Sequence, residues 1–250
     1  ERGLAWTNQR DFGADYAGTL LEWRRNFDKA AAEGRAVIDP ATLEQVGLRA
    51  ETTDGEIDAV LAQVAGAQAR WRVLDAKSRA KTLHDLANAI EAADFTDCAI
   101  LMSREMGKPY PEAIGELANC APIFRYYAEM ARDEAGKVAG TTQAGSLQFA
   151  KYEPLGISVH IMPFNFPVLL MCWTVAASLA AGNGCVVKPA EATTLSTLEF
   201  MKVFAALPDA LIACVPGGAE VGKALVASPA THAVAFTGSV AAGQAVAAAA

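Results

Sequence analysis

Basic residues are in the minority in this chain. Its 250 residues hold 21 Lys and Arg against 28 Asp and Glu, a formal charge of −7. A nucleic-acid surface needs a basic face, and this balance argues against one. Histidine is scarcer still: His84, His160 and His232 stand far apart, and no metal-ligand spacing is visible. Cysteine is sparse and odd in number. Cys98, Cys120, Cys172, Cys185 and Cys214 lie among apolar neighbours, and are expected to be reduced, buried thiols of a cytoplasmic protein rather than a disulfide framework. No apolar run reaches the ~20 residues that a membrane-spanning helix needs. The chain does not open on a basic-then-apolar leader. What is abundant is hydrophobic residues, 52% of the chain, enough for one large or two modest globular cores.

The most informative stretch runs from Ile161 to Glu191. A β-like run, Gly156 to Ile161, stops at Met162-Pro163, because Pro163 and Pro167 cannot donate to a strand ladder. An apolar segment from Val168 to Ala181 suits a helix, and Gly182-Asn183-Gly184 ends it. A second short run, Cys185 to Val187, meets Lys188-Pro189. Strand, helix, strand is a βαβ unit, which favours a buried parallel sheet. Polar groups fall where the strands end: Asn165 after the first, Lys188 and Glu191 after the second. Ligands bind at the carboxyl ends of strands in open α/β sheets, so these three form a site hypothesis.

The alternation continues. Strands are expected at about 156–161, 184–188, 211–215 and 232–236, and helices at about 167–180, 193–206, 218–227 and 239–250. The fold class is therefore α/β, a Rossmann-like doubly wound sheet preceded by a helical region. Phe236-Thr-Gly-Ser-Val-Ala-Ala-Gly243 follows the fourth strand and opens a helix. Free backbone N–H groups there can receive a phosphate, and Gly238 and Gly243 permit close backbone approach. Alone this is a weak signal, since it is not the G-x-G-x-x-G fingerprint.

Taken together, P-F-N-F-P at 163–167, G-N at 182–183 followed by K-P-A-E at 188–191, and F-T-G-S at 236–239 resemble the aldehyde dehydrogenase superfamily. The resemblance is collinear from about Ile38 to the last residue. It includes Glu105-Met-Gly-Lys-Pro109, Tyr152-Glu-Pro-Leu-Gly156 and Val215-Pro-Gly217. It implies an enzyme that oxidises an aldehyde or semialdehyde to a carboxylic acid with NAD, NADP being possible. A Cys thiolate attacks the aldehyde, hydride passes to the nicotinamide, and a Glu-activated water releases the acid. The resemblance makes Asn165 the donor to the developing oxyanion. It assigns Ile161, Pro163, Phe164, Lys188, Glu191, Gly217, Gly222, Phe236, Thr237, Gly238, Ser239 and Gly243 to the cofactor, with Lys188 and Glu191 on the adenosine ribose. Glu191 would repel a 2′-phosphate, which favours NAD. The family's E-L-G-G and G-Q-x-C motifs do not occur in these residues, so nucleophile and general base are expected beyond Ala250. Cys172 and Cys185 have no cationic neighbour in sequence to lower their pKa. The chain is thus expected to be a piece of a longer enzyme and inactive alone. A non-catalytic nucleotide-binding or scaffold module of the same fold is the alternative.

Upstream, three regions are expected: an extension at 1–37, helices with an oligomerisation-type strand at 38–155, and the dinucleotide-binding part at 156–250. In the first, Tyr16, Leu20, Trp23 and Phe27 recur at helical spacing. Residues 11–27 faintly resemble a segment of cyclopropane-fatty-acid-synthase-type methyltransferases. In the second, Ile38 to Thr42 resembles a family turn. Asp54 is expected to cap a helix ending at Trp71, Ser78 to cap the next, and further helices to span about 95–106 and 110–132. Glu105, Glu112 and Glu116 are expected on a solvated or salt-bridged face. Gly136 to Gly145 reads as a loop, and Ser146 to Tyr152 as an edge strand that the resemblance places in an oligomerisation sheet. A homo-oligomer, dimer or tetramer, is the corresponding expectation, with a small-molecule aldehyde as partner and neither nucleic acid nor membrane.

Overall fold

The computed structural model describes residues 36–48, 51–133, 136–140 and 143–250. The amphipathic helix expected around Tyr16 to Phe27, and the resemblance at residues 11–27, lie outside the described residues.

The described chain opens on a hairpin, β1 (Ala36–Ile38) against β2 (Gln45–Leu48), antiparallel. Asp39 turns it: its Oδ1 accepts from the amides of Ala41 at 2.8 Å and Thr42 at 3.2 Å, an Asx turn. Five helices follow. In α1 (Asp54–Trp71) the N-cap is Thr53 rather than Asp54, because Glu56 Oε2 accepts from the Thr53 amide and hydroxyl, both at 2.8 Å. In α2 (Ala76–Ala92) the cap is Asp75; Ser78 supplies the amide that Asp75 Oδ1 accepts, at 2.7 Å. Both corrections have one cause. The capping side chain must precede the first turn to reach the amide three residues on. Helix α3 (Thr96–Met106) ends at Gly107, whose φ of 76° disfavours any residue with a Cβ. The single helix expected over 110–132 is two, α4 (Tyr110–Ala118) and α5 (Cys120–Met130). Pro122 cannot donate to the carbonyl of Ala118, so the helix breaks at Asn119.

Part of the expected loop at 136–145 is strand: β3 (Gly136–Val138) pairs antiparallel with β4 (Phe149–Lys151). The main sheet then forms where the alternation places it. Its strands are β5 (Ile157–Ile161), β6 (Gly184–Lys188), β7 (Ile212–Cys214) and β8 (Ala233–Phe236). All three pairings are parallel, in the order β7-β6-β5-β8. Between them run α6 (Pro167–Ala180), α7 (Thr194–Met201) and α8 (Ala219–Ala227), and α9 (Val240–Ala249) follows β8. The expected helix at 193–206 is α-helical only in its middle, with 3₁₀ turns at Glu191–Thr193 and Lys202–Ala206.

The period-two alternation of the strands divides the core. Ile157, Val159 and Val186 face α1 and α8, meeting Ile57, Leu61, Val64, Val221 and Leu225. Cys185 and Val187 face the other way, into a larger cluster with α6 and the helices α2 to α5. The helical layer also closes the carbonyl end of α6. Trp71 Nε1 donates to Leu179 O at 2.8 Å, Gln68 Nε2 to Gly182 O at 3.1 Å, and Arg79 Nε to Ala180 O at 3.2 Å. Leu179 and Ala180 are the last residues of the helix, where carbonyls run short of intrahelical donors, and Gly182 follows in the turn.

Two polar residues of β5 point into the α6 side and are buried. His160 Nε2 lies 2.9 Å from Ser158 Oγ and its Nδ1 lies 2.9 Å from Thr174 Oγ1, while Ser158 Oγ meets Ser178 Oγ at 2.6 Å. Burial pushes the His160 pKa down to about 4, so the imidazole is neutral near pH 7. No helix among the described residues is long and apolar enough to cross a membrane.

Candidate active site

The strand order sets the position of the site. The chain steps from β5 to β6 to β7, then returns across the sheet to place β8 on the other side of β5. The order therefore reverses between β5 and β8, and a crevice is expected at their carboxyl ends. Three residues stand in register there: Ile161 is paired with Lys188 on one side and Phe236 on the other.

Above these ends lies a cavity of about 600 Å³, within the range of small-molecule sites. Ile161, Pro163 and Phe164 border it from β5, and Lys188 and Glu191 from β6. Gly222 contributes from α8, Phe236 from the end of β8, and Thr237, Gly238 and Ser239 from the turn into α9. Two of the expected cofactor residues stand behind the wall. A Cβ on Gly217 would lie 2.4 Å from Val221 Cγ2, so Gly217 shapes the turn into α8. Gly243 packs against the outer edge of the Phe236 ring. Gly238 is tighter still: a Cβ there would come within 2.6 Å of Phe236 Cζ, which only glycine tolerates without moving the ring.

Other lining residues escaped the sequence analysis. Ala219, Lys223 and Val226 on α8, one turn either side of the expected Gly222, and Ala242, Ala245, Val246 and Ala249 on α9 recur at helical spacing and face the cavity. The spacing was present, but alanine and glycine carry too little hydrophobic contrast to reveal a face. Glu51 was missed as well. Its Oε1 accepts from the Gly218 amide at 2.8 Å, and a Cβ on Gly218 would lie 3.5 Å from the carboxylates of both Glu51 and Glu191. Two acidic groups thus flank the start of α8. Lys188 is buried, with Nζ donating to Pro189 O at 3.0 Å and lying 3.9 Å from Glu191 Oε1. Ser239 caps α9, its Oγ accepting from the Ala242 amide at 3.2 Å. The amides of Val240 and Ala241 precede any intrahelical acceptor.

Asn165 follows the cavity-lining Phe164 in the turn between β5 and α6. It does not border the cavity itself. It is exposed, and among the described residues none claims its side-chain amide. Its main-chain carbonyl is held: Lys108 Nζ donates to it at 2.7 Å. Lys108 in turn pairs with Glu116, whose Oε1 accepts from the amides of Val168 at 2.9 Å and Leu169 at 3.0 Å. Between α5 and α6, a groove of about 460 Å³ is lined by Tyr126, Tyr127, Leu169 and Trp173 among others.

Glu105 is buried and hydrogen-bonded, against the expectation of a solvated or salt-bridged face; Glu116 is salt-bridged as expected, but buried, and of the three only Glu112 is exposed. Glu105 accepts from the amides of Leu195 at 2.6 Å and Ser196 at 2.7 Å, closing the N-terminus of α7 as Glu116 closes that of α6. Unpaired helix amides and the helix dipole attract carboxylates from a neighbouring layer. Burial pushes the Glu105 pKa up to about 7, against the pull of those bonds. The signal was legible: Glu105 follows Cys98, Ala99 and Met102 on the buried side of α3, and Glu116 lies beside Ala113 and Leu117 on α4.

Four of the five thiols are held protonated by their surroundings. Burial raises Cys98, Cys185 and Cys214 to about 12 and lifts Cys172 well above its ordinary value. Among the described residues no group of three His, Cys, Asp or Glu could hold a metal ion.

Comparison with known proteins gives a consistent assignment. Retinaldehyde dehydrogenase 3 of Rattus norvegicus is 36% identical over 219 residues, which cover 84% of this chain and 42% of that protein. The crystal structure of an NADP-dependent enzyme of E. coli superimposes with a TM-score of 0.81 at 30% identity, over 86% of this chain and 45% of that one. PnpE in complex with nicotinamide adenine dinucleotide gives 0.80 at 32% identity, over 87% and 45%. The chain therefore spans less than half the length of these proteins. A sequence model of the aldehyde dehydrogenase family matches residues 27–250, and with the sheet order and crevice described above this shows that the chain belongs to the aldehyde dehydrogenase family.

Proposed function

We propose that this chain supplies the cofactor-binding half of an enzyme that oxidises an aldehyde or semialdehyde to a carboxylic acid, and that the cofactor is NAD. The observation that carries the reading is the crevice at the β5–β8 switch, with Lys188 and Glu191 at one end and the start of α9 at the other. The residues suit a dinucleotide. Glu191 can accept from ribose hydroxyls and Lys188 can donate to them, while the first amides of α9 suit a pyrophosphate. Ile161, Pro163, Phe164, Phe236, Thr237 and Gly238 form the wall between. When bound, the nicotinamide supplies a hydride acceptor.

The chain's own part in the chemistry centres on Asn165. Its exposed amide is assigned to the carbonyl oxygen of the aldehyde as that oxygen gains charge under attack by a thiolate. The groove bearing Leu169 and Trp173 lies on the helix that begins beside Asn165, so an apolar aldehyde can approach from that face. With every thiol of the chain buried or raised in pKa, the nucleophile and the general base are assigned to residues outside these 250. Titration of the chain with NAD and NADP by calorimetry, alongside an aldehyde-oxidation assay, tests this. Binding without turnover is the expected result; no binding by a folded chain sinks the reading.

Cofactor choice gives a sharper test. Glu51 and Glu191 place two carboxylates at the start of α8, where a 2′-phosphate would meet like charge. Glu191→Ser is expected to improve NADP binding relative to NAD by about tenfold, or ~1.4 kcal/mol. Unchanged selectivity in the same calorimetric titration removes Glu191 from the ribose. The exposed apolar side chains of Val138 and Phe149 on the β3–β4 ribbon support a homo-oligomer formed along that edge.

A further inference from the structure

We infer that Lys108 and Glu116 are positioning residues that set the direction of the Asn165 amide by gripping the backbone from its own carbonyl onward into α6. The inference rests on the reading of Asn165 as the oxyanion donor. Both side chains come from the segment that closes α3 and forms α4, far upstream of the turn they hold. Lys108 Nζ donates to Asn165 O at 2.7 Å and sits 3.9 Å from the centroid of the Phe166 ring. Glu116 Oε2 receives the same ammonium, and Oε1 accepts from Val168 and Leu169. The pair thus contacts residues 165, 166, 168 and 169; the remaining one, Pro167, has no N–H to offer.

Three arguments turn this contact set into a role. First, among the described residues the Asn165 side chain has no bond that would hold it. Its direction is therefore set by the backbone, and an ammonium fixed on the 165 carbonyl fixes the peptide plane that follows the Cα. Second, the two side chains are only 4% and 0% exposed. A buried ion pair is no better for stability than a well-packed apolar pair of the same volume, so stability alone does not explain this one. Third, Glu116 balances the lysine charge, so the pair acts on the turn chiefly through geometry rather than through a net positive field.

The test uses the complete protein that carries this chain together with its catalytic thiol. Lys108→Met alone leaves the Glu116 carboxylate buried without its cation. The informative variant is therefore Lys108→Met/Glu116→Gln, in which the glutamine carbonyl still accepts from Val168 and Leu169. It is made with Asn165 present and in an Asn165→Ala background. With Asn165 present, kcat is expected to fall about 10- to 100-fold, since a misplaced catalytic group costs rates of that order. KM and NAD affinity should stay within about twofold of the starting protein. In the Asn165→Ala background the same change should alter kcat by less than about twofold, because the group it positions is gone. A crystal structure of the variant should show the Asn165 amide displaced or in more than one orientation. Effects that multiply in the two backgrounds, an unchanged kcat with Asn165 present, or loss of the fold in both variants would each overturn the inference. If Asn165→Ala itself leaves kcat unchanged, the oxyanion reading fails first, and this result is separate from all the others.

Discussion

Replacing Asn165 by alanine, in the protein that combines this chain with its catalytic thiol, is expected to lower kcat by about 100- to 1,000-fold, or ~3–4 kcal/mol of barrier. The size follows from when the amide acts. A ground-state carbonyl oxygen gains little from one more donor, whereas the oxygen of a tetrahedral adduct carries a full charge. The loss should therefore appear in kcat with little change in KM. Cofactor affinity should hold, because Asn165 lies outside the wall of the crevice and only its neighbour Phe164 borders it. Asn165→Asp should be no better than alanine, since a carboxylate at that point repels the charge that the amide attracts. Steady-state oxidation at saturating NAD, with NAD affinity measured separately by calorimetry, decides the matter. Equal losses in turnover and in NAD affinity would mean that the turn as a whole has collapsed, and the oxyanion role would be withdrawn.

The two halves of the fold differ in how openly the sequence declares them. The parallel sheet is legible because its strands are short apolar runs stopped by proline or glycine: Pro163 after β5, Gly184 at the start of β6, Pro189 after it, Pro216 after β7. Those stops define the strand ends, and in a doubly wound sheet the carboxyl ends are the site. Lys188, Ile161 and Phe236 come into register for that reason. Side chains that act across layers are less legible. Glu105 and Glu116 stand on the apolar faces of their helices, which marks them as buried but not what they bond. They become caps only once α3 and α4 lie against the amide ends of α7 and α6. Glu51 is the same case: its partner, the Gly218 amide, is 167 residues away. The alanines of α9 failed differently. Val240–Ala249 carries no buried residue, and a face made of methyl groups has no polar contrast from which a period can be read.

The second large effect is one of stability and reads out at His160. Its ring is buried between the hydroxyls of Ser158 and Thr174, and its pKa falls from the usual 6.5 to about 4. Below pH 6.5 the unfolded chain binds a proton that the folded chain refuses until about pH 4. The stability of the neutral, buried ring is thus fully present above 6.5 and is lost as pH falls toward 4. Converted at 1.36 kcal/mol per unit, the loss is about 3 kcal/mol. Glu105 works in the opposite sense. Its carboxyl is raised from 4.5 to about 7, so its contribution is present below 4.5 and is lost as pH rises through 7. The two windows overlap and the signs oppose, so the pH curve of the unaltered protein hides both. His160→Gln separates them, because an amide can still donate to one hydroxyl and accept from the other but does not titrate. Urea unfolding of the chain and of the variant, at pH 7 and at pH 4, should show the advantage of His160 over Gln falling by about 3 kcal/mol on acidification. An advantage that is the same at both values would mean that the ring is charged or solvated in the fold. The buried Ser158–His160–Thr174 line would then have to be rebuilt around an imidazolium, with both hydroxyls as acceptors.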